Sequence, residues 1–416
     1  MKQVDMVIIG GGSAGMSAAL SAREAGVEDI LILERSEELG GILQQCIHNG
    51  FGLQVFKEEL TGPMYAENFM NKIVDAHIAY KLNTTVIEIN KNREVLFVNE
   101  EDGYTWVHAG VIINACGCYE RNRGAISIPG KRLPGVYTAG SAQRFLNIEN
   151  ICVGKNVFIL GSGDIGLIMA RRMTLEGAHV VGVAEIMPYS NGLTRNIVQC
   201  LKDYDIPLYL SHTITNIQGD THVESITITQ VDEHKNLIEG TSKTFCVDTL
   251  LLSIGLLPEN EMGTQIGMAL DPRTKGAIVN EYFETNIPHM YACGNALHVH
   301  DIVDFVSLEA SEAGYCAAQD LLSAQRGKRE VNVIAKEGVS YVLPQIIQAT
   351  PTKDITLCMR PTRPFKNVRI ELYDGDTLLK TIKKRYLLPA EMERIKLSMK
   401  EGFSIQSELK VQVCEE

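Results

Sequence analysis

Met6-Val7-Ile8-Ile9-Gly10-Gly11-Gly12-Ser13-Ala14-Gly15 is the stretch that decides the fold of this 416-residue chain. Its four apolar residues form an unbroken run, as expected of a parallel strand buried on both faces. The run enters a G-x-G-x-x-G turn, and Ser13 and Ala14 open an alanine-rich helix that reaches Gly26, a natural C-cap. In such a turn Gly10 permits the tight bend, Gly12 lets the backbone approach a pyrophosphate, and Gly15 allows the helix to pack on the strand. The helix N-terminus then offers free N–H groups and a partial positive charge to an anion. A second apolar run, Ile30-Leu31-Ile32-Leu33, ends at Glu34 and Arg35. Glu34 lies 24 residues after Gly10, where an acidic side chain accepts hydrogen bonds from an adenosine ribose.

The unit repeats. A shift of 151 residues brings Val157-Phe158-Ile159-Leu160 into Gly161-Ser162-Gly163-Asp164-Ile165-Gly166, and Gly10, Gly26 and Glu34 fall on Gly161, Gly177 and Glu185 with one constant offset. Gly161, Gly163, Asp164, Ile165 and Gly166 are therefore candidates for a second dinucleotide, and Glu185 for its ribose. A carboxylate there accepts from a free 2′-OH and repels a 2′-phosphate, which favours NADH over NADPH. A solvated strand end is the plainer reading of Glu185.

Other segments fit around these two βαβ units. Val111–Ala115 and Leu250–Ile254 read as short apolar strands, each ending at a glycine, and residues 206–249 alternate like an antiparallel meander. Residues 303–324 read as an amphipathic helix. Residues 1–330 hold 25 Lys/Arg and 40 Asp/Glu, whereas residues 331–416 hold 14 and 11, and this shift marks a small C-terminal β-rich domain. The net charge of −12 and pI near 5.4 disfavour nucleic acid as a partner. No apolar run approaches the roughly 20 residues that span a bilayer. The N-terminus carries no signal-peptide pattern, so the expected location is the cytoplasm. Ten dispersed cysteines without a C-x-x-C pair fit a reducing compartment, and no metal site is expected.

One dinucleotide unit at the N-terminus and one in the middle resemble the layout of the two-dinucleotide-domain flavoprotein superfamily. Ala115-Cys116-Gly117 resembles its A-T-G crossover strand, and Ser253-Ile254-Gly255 resembles the second copy. Thr285-Asn286-Ile287-Pro288-His289-Met290-Tyr291-Ala292-Cys293-Gly294-Asn295 resembles its second flavin fingerprint, with Asn295 in place of the aspartate that binds the ribityl chain. The resemblance implies an α/β fold with two Rossmann-like domains. An FAD domain spans 1–117 and 254–326, an NAD domain is inserted at 118–253, and the C-terminal domain spans 327–416. It implies FAD and NAD as cofactors, with Gly10, Gly12, Ser13, Ala14, Gly15, Glu34, Arg35, Gly41, Ala115, Gly117, Gly255, Gly294, Asn295 and Val303 around the flavin. Val303 opens the helix whose positive end would face the reduced flavin.

A narrower resemblance rests on Gly40–Gly52, Tyr119–Ala125, His298–Asp304 and Pro389–Ile395. It is to the bacterial FAD/NAD(P)-dependent oxidoreductases found with an anaerobic-type glycerol-3-phosphate dehydrogenase and a small cysteine-rich or iron–sulfur protein. These are similar to the NADH-handling subunits of opine, proline and hydrogen-cyanide-forming dehydrogenases. It implies an enzyme that exchanges hydride with NADH, as a subunit whose partner oxidises glycerol 3-phosphate or a similar small substrate. A free-standing NADH:quinone or NADH:oxygen oxidoreductase is the alternative. Cys46 and His48, after the Gly40-Gly41 turn, are the catalytic candidates. Without a second spaced thiol, Cys46 reads as a small polarizable residue beside the isoalloxazine or as a lone reactive thiol. His48 reads as a proton shuttle or as a structural imidazole. His298, His300, Asp301 and Asp304 tempt a metal reading, but their place after Asn295 makes flavin binding or loop ordering the expectation. Arg121 and Arg123 read as a phosphate grip or as solvated loop arginines.

Overall fold

In the computed structural model, which describes residues 1–323, 330–398 and 404–415, the opening apolar run lies in β1 (Lys2–Ile9). β1 pairs in parallel with β2 (Ile30–Leu33) on one side and with the strand Gly103–Asn114 on the other. Beyond β2 lies Ala79–Lys81; beyond Gly103–Asn114 lie the antiparallel strands Glu94–Asn99 and Thr85–Ile89, and Met290–Ala292 also pairs with Gly103–Asn114. Both faces of the central strands are covered, which is why their sequences read as unbroken apolar runs. Met6, Ile8, Ile30, Ile32, Val111 and Ile113 pack with residues of α1 (Ser13–Glu24), α2 (Gly62–Asp75) and the helix Val303–Ser323. Val7, Ile9, Leu31, Leu33 and Ile112 belong to a second cluster. Gly314 approaches α1 so closely that a Cβ would sit 2.2 Å from Ala18 O. The strand expected at Val111–Ala115 is the second half of a longer one. Its first half, from Gly103, alternates because its partner Glu94–Asn99 is antiparallel, and there Trp106 stands half-buried opposite Leu96.

The chain divides into two compact units, Met1–Cys118 with Pro258–Glu416, and Tyr119–Leu257. The second is built on a parallel sheet in the order Val136–Thr138, Thr249–Leu252, Asn156–Leu160, His179–Glu185 and Leu208–Leu210. The meander expected at 206–249 is narrower than its alternation suggested. Its antiparallel strands are His212–Gln218, Ser225–Gln230 and Lys243–Cys246, while Leu208–Leu210 is the edge of the parallel sheet.

The C-terminal segment is β-rich, with a five-stranded and a three-stranded sheet around a core that includes Leu357, Ile370, Leu372, Leu409 and Val411. It was expected as a domain of its own, yet it groups with the first unit. The reason is shared core: Leu343, Cys358 and Met392 lie in the same cluster as Val7 and Ile9 of β1. The expected boundary at 326/327 and position 324 of the expected helix lie outside the described residues. Among the described residues no helix is long and apolar enough to cross a membrane.

Candidate functional site: two dinucleotide loops

Gly10 adopts φ +102°, and its N–H donates to Leu33 O at 2.9 Å. A Cβ there would lie 2.5 Å from Ala115 O, and one on Gly15 would lie 1.9 Å from Gly10 O. Both glycines are therefore required by the fold itself. Gly12 differs: its φ of −75° suits any residue and a Cβ would meet nothing within 4 Å. α1 begins at Ser13 with no side-chain cap and no acid in its first turn. The N–H groups at its start thus face an open recess with partial positive charge, which fits the pyrophosphate of a dinucleotide. Gly41 (φ +56°) leans on this loop, since a Cβ would sit 3.2 Å from Gly12 Cα, and the Gly40 N–H donates to Gly11 O at 2.9 Å.

Glu34 is buried and clamps the loop: Oε2 accepts from Gly11 N–H at 2.7 Å and Oε1 from Ser36 N–H at 2.8 Å. The same bonds recur 151 residues on. Glu185 Oε2 accepts from Ser162 N–H at 3.0 Å and Oε1 from Met187 N–H at 2.9 Å, while Gly161 N–H donates to Ala184 O at 2.7 Å. Glu185, only 4% exposed, is thus no solvated strand end. It takes one bond more than Glu34, from Ser162 Oγ at 2.6 Å. A carboxylate oxygen has two lone pairs, so each clamp keeps capacity for a ribose hydroxyl. Arg35, next to Glu34, is exposed.

The second loop is tighter. A Cβ on Gly161 would lie 2.0 Å from Ser253 O, and the Gly166 N–H donates to Ser253 Oγ at 3.1 Å. Gly163 is the N-cap of the helix Asp164–Leu175. Asp164 Oδ1 accepts from Leu193 N–H at 2.8 Å and Asn196 Nδ2 at 2.6 Å, so this acid holds the 193–196 segment; Ile165 beside it is half-buried. Gly255 (φ +106°) accepts from Arg121 N–H at 3.0 Å. Arg123 is a loop staple: its guanidinium donates to the carbonyls of Ile128, Gly130 and Lys131, which leaves the phosphate reading without support.

In the first unit the second fingerprint meets the first. Gly294 (φ +64°) sits where a Cβ would be 2.8 Å from the Cβ of Ala14, and its N–H donates to Glu309 Oε1 at 2.9 Å. Asn295 Oδ1 accepts from His300 N–H at 3.0 Å, and its amide points at Cys118 Sγ, 3.7 Å away. Ala115 is buried, while Gly117 (φ +76°) has open space where a Cβ would stand. Val303 opens its helix, and Asp304 in the first turn accepts from the N–H groups of Gly52 (3.0 Å), Gln54 (3.1 Å) and Val55 (2.9 Å). The acid therefore holds the loop that follows Cys46 and His48.

Cys46 packs against Gly62, and burial pushes its thiol up to about 12. A thiol so placed is protonated and unreactive at neutral pH. His48 Nδ1 lies 2.9 Å from Asn49 O. A carbonyl only accepts, so Nδ1 carries the proton and Nε2 is the basic nitrogen. The four residues of the His298–Asp304 string separate. His298 and His300 converge on Glu309, Asp301 meets Arg360 at 3.3 Å, and Asp304 serves the 52–55 loop. Glu309 escaped sequence reasoning because its partners are set by tertiary approach, whereas Asp304 was singled out there without the 52–55 loop it holds. Ser162 was within reach, because the offset carries Gly11 onto it.

The profile of the pyridine nucleotide-disulphide oxidoreductase family matches residues 4–308. Hydrogen cyanide synthase subunit HcnB of Pseudomonas protegens is 24% identical, over 70% of this chain and 65% of that protein. This chain thus spans just under two thirds of that relative's length. The thioredoxin reductase of T. acidophilum shares the fold with a TM-score of 0.61 and 23% identity, over 77% of this chain and 98% of its own. A NAD-dependent persulfide reductase from A. fulgidus, 16% identical, aligns over 96% of this chain and 71% of its own with a TM-score of 0.58.

Proposed function

Because this chain belongs to the pyridine nucleotide-disulphide oxidoreductase family, and is accordingly an FAD-dependent NAD(P)H oxidoreductase, we propose that its first loop holds FAD and its second holds NADH. Ser13, Ala14 and Gly15 would carry the FAD pyrophosphate on the start of α1, with Glu34 at the ribose. FAD and NADH, when bound, supply hydride exchange between flavin N5 and nicotinamide C4. The chain binds and orients the two dinucleotides, and no acid–base residue is needed for that exchange. Glu185 selects NADH, because its carboxylate repels a 2′-phosphate.

The other half-reaction runs to a partner protein. In this reading the chain is the NAD-linked subunit of a cytoplasmic dehydrogenase, and glycerol 3-phosphate or a similarly small hydroxy or amino acid is oxidised on another chain. The carrying observation is that the ten cysteines are free thiols in a sequence without a C-x-x-C pair. An internal dithiol exit for electrons has no support here. The relative from P. protegens is itself named as a subunit, and ten thiols without a disulfide suit a reducing compartment. The test combines the purified chain with NAD and glycerol 3-phosphate, alone and with the proteins that co-purify from its own cells. NADH formation only in the combined sample is expected. Turnover by the chain alone would overturn the subunit reading, and brisk NADH-driven reduction of a quinone by the chain alone would replace it with the free-standing enzyme.

A further inference from the structure

His298, His300 and Glu309 form a buried cluster in the first unit that the dinucleotide chemistry does not use. Their side chains are 1%, 1% and 6% exposed. His298 Nε2 lies 2.7 Å and His300 Nε2 3.3 Å from the same oxygen, Glu309 Oε2, and the two rings are 4.3 Å apart between centroids. The other carboxylate oxygen, Oε1, is occupied by Gly294 N–H.

The tautomers follow from the neighbours. Asn295 Oδ1 accepts from the backbone N–H of His300, which identifies it as the amide oxygen. His300 Nδ1, 3.3 Å from that oxygen, must therefore be the donor. With Nδ1 as the donor, Nε2 is the ring nitrogen turned toward Glu309. That atom is buried, has no hydrogen-bond partner among the described residues, and faces a carboxylate oxygen. His298 repeats the pattern less tightly, with Nδ1 3.5 Å from Tyr341 OH and Nε2 on Glu309. Both imidazoles thus turn Nδ1 to an outer partner and Nε2 to one shared point, the arrangement in which a histidine ligates a metal through one ring nitrogen while a hydrogen bond at the other orients the ring. The nearby Arg360 is paired with Asp301, so the buried charge of Glu309 is not met by it.

We propose that His298 Nε2, His300 Nε2 and Glu309 Oε2 bind one divalent first-row transition metal ion. Two imidazoles and a carboxylate are a donor set for such ions and leave room for a non-protein ligand. The 3.3 Å pair already has the separation expected of two donors about 2.0–2.1 Å from a tetrahedral ion, and the 2.7 Å pair must open by a few tenths of an ångström. Glu309 also holds Gly294, so the ion would fasten the second fingerprint to the helix Val303–Ser323. The sequence expectation of no metal weighed Asp301 and Asp304 as the carboxylates and overlooked Glu309.

The experiment measures metal content of the purified flavoprotein, then strips it with chelator and titrates it with Zn²⁺ and Co²⁺. About one equivalent per chain is expected, with visible ligand-field absorption for Co²⁺ and a zinc-edge X-ray absorption spectrum of nitrogen and oxygen donors. His300→Asn and His298→Asn should lose the equivalent while circular dichroism and a cooperative thermal transition report that they are folded. If either variant fails to fold, the wild-type stoichiometry and donor atoms decide alone. No uptake by the stripped wild type, uptake equal to that of a folded His300→Asn, or a spectrum dominated by sulfur would each overturn the site.

Discussion

Gly12→Val should yield a folded chain that has lost its flavin. The valine Cβ meets no atom within 4 Å, and the φ of −75° is one that valine adopts, so the backbone need not move. The side chain instead fills the recess in front of the first N–H groups of α1. A hydrogen bond from such a group to a charged acceptor contributes about 1.5–3 kcal/mol. Displacing the pyrophosphate from two of them removes about 3–6 kcal/mol, which weakens FAD binding by roughly 10²- to 10⁴-fold. The control is Gly15→Ala, whose Cβ would lie 1.9 Å from Gly10 O and should prevent correct folding. The assay is flavin absorbance per chain after gel filtration, FAD titration of apoprotein, and circular dichroism with thermal melting. A folded Gly12→Val protein that binds FAD within about threefold of wild type would refute the assignment of this recess to the pyrophosphate.

NADH should reduce the flavin much faster than NADPH, and Glu185→Gln should narrow the gap while costing about 1–3 kcal/mol of stability, because the amide cannot accept from Met187 N–H and Ser162 N–H at once; a wild-type preference for NADPH would contradict the ribose role of Glu185. With its thiol raised from 9.0 to about 12, Cys46 should react with iodoacetamide about a thousandfold more slowly at pH 8 than an ordinary cysteine, and its rate should still be climbing with pH at pH 10. Peptide mass spectrometry should find the exposed Cys152 and Cys246 labelled first, and early labelling of Cys46 would show it to be a thiolate. Asp304→Ala orphans three backbone N–H groups of the 52–55 loop, so this variant should melt earlier by about 3–5 kcal/mol and exchange those amides faster; unchanged exchange at Gly52, Gln54 and Val55 would remove Asp304 from its holding role.

The two Rossmann-like units were legible because their signals are local and repeated: an apolar run, a glycine turn and an acid at fixed spacing. A single shift of 151 even aligned the hydrogen bonds, with Gly11 and Ser162 bound to Glu34 and Glu185. Strand lengths were less legible, since Gly103–Val107 and Val111–Asn114 are one strand whose two halves have different neighbours. Leu208–Leu210 was absorbed into a meander because three residues carry too little pattern to reveal a parallel partner. The least legible position was Glu309, and Asp304 was named without its partners. Asp304 serves a loop some 250 residues earlier, and Glu309 gathers two histidines and Gly294 around one carboxylate. Nothing in the spacing of the His298–Asp304 string announces that its members have different partners.

The first unit is discontinuous, and this bears on how the protein is made. Tyr119–Leu257 is contiguous, so its parallel sheet can close as soon as Thr249–Leu252 has left the ribosome. The earlier Met1–Cys118 cannot finish in the same way. Its strand Gly103–Asn114 waits for Met290–Ala292, α1 waits for the helix Val303–Ser323, and the cluster behind β1 waits for Leu343, Cys358 and Met392. The N-terminal glycine loop is thus among the last parts to acquire its supports, and the apolar surface of β1 is covered in stages, completed by Leu343, Cys358 and Met392.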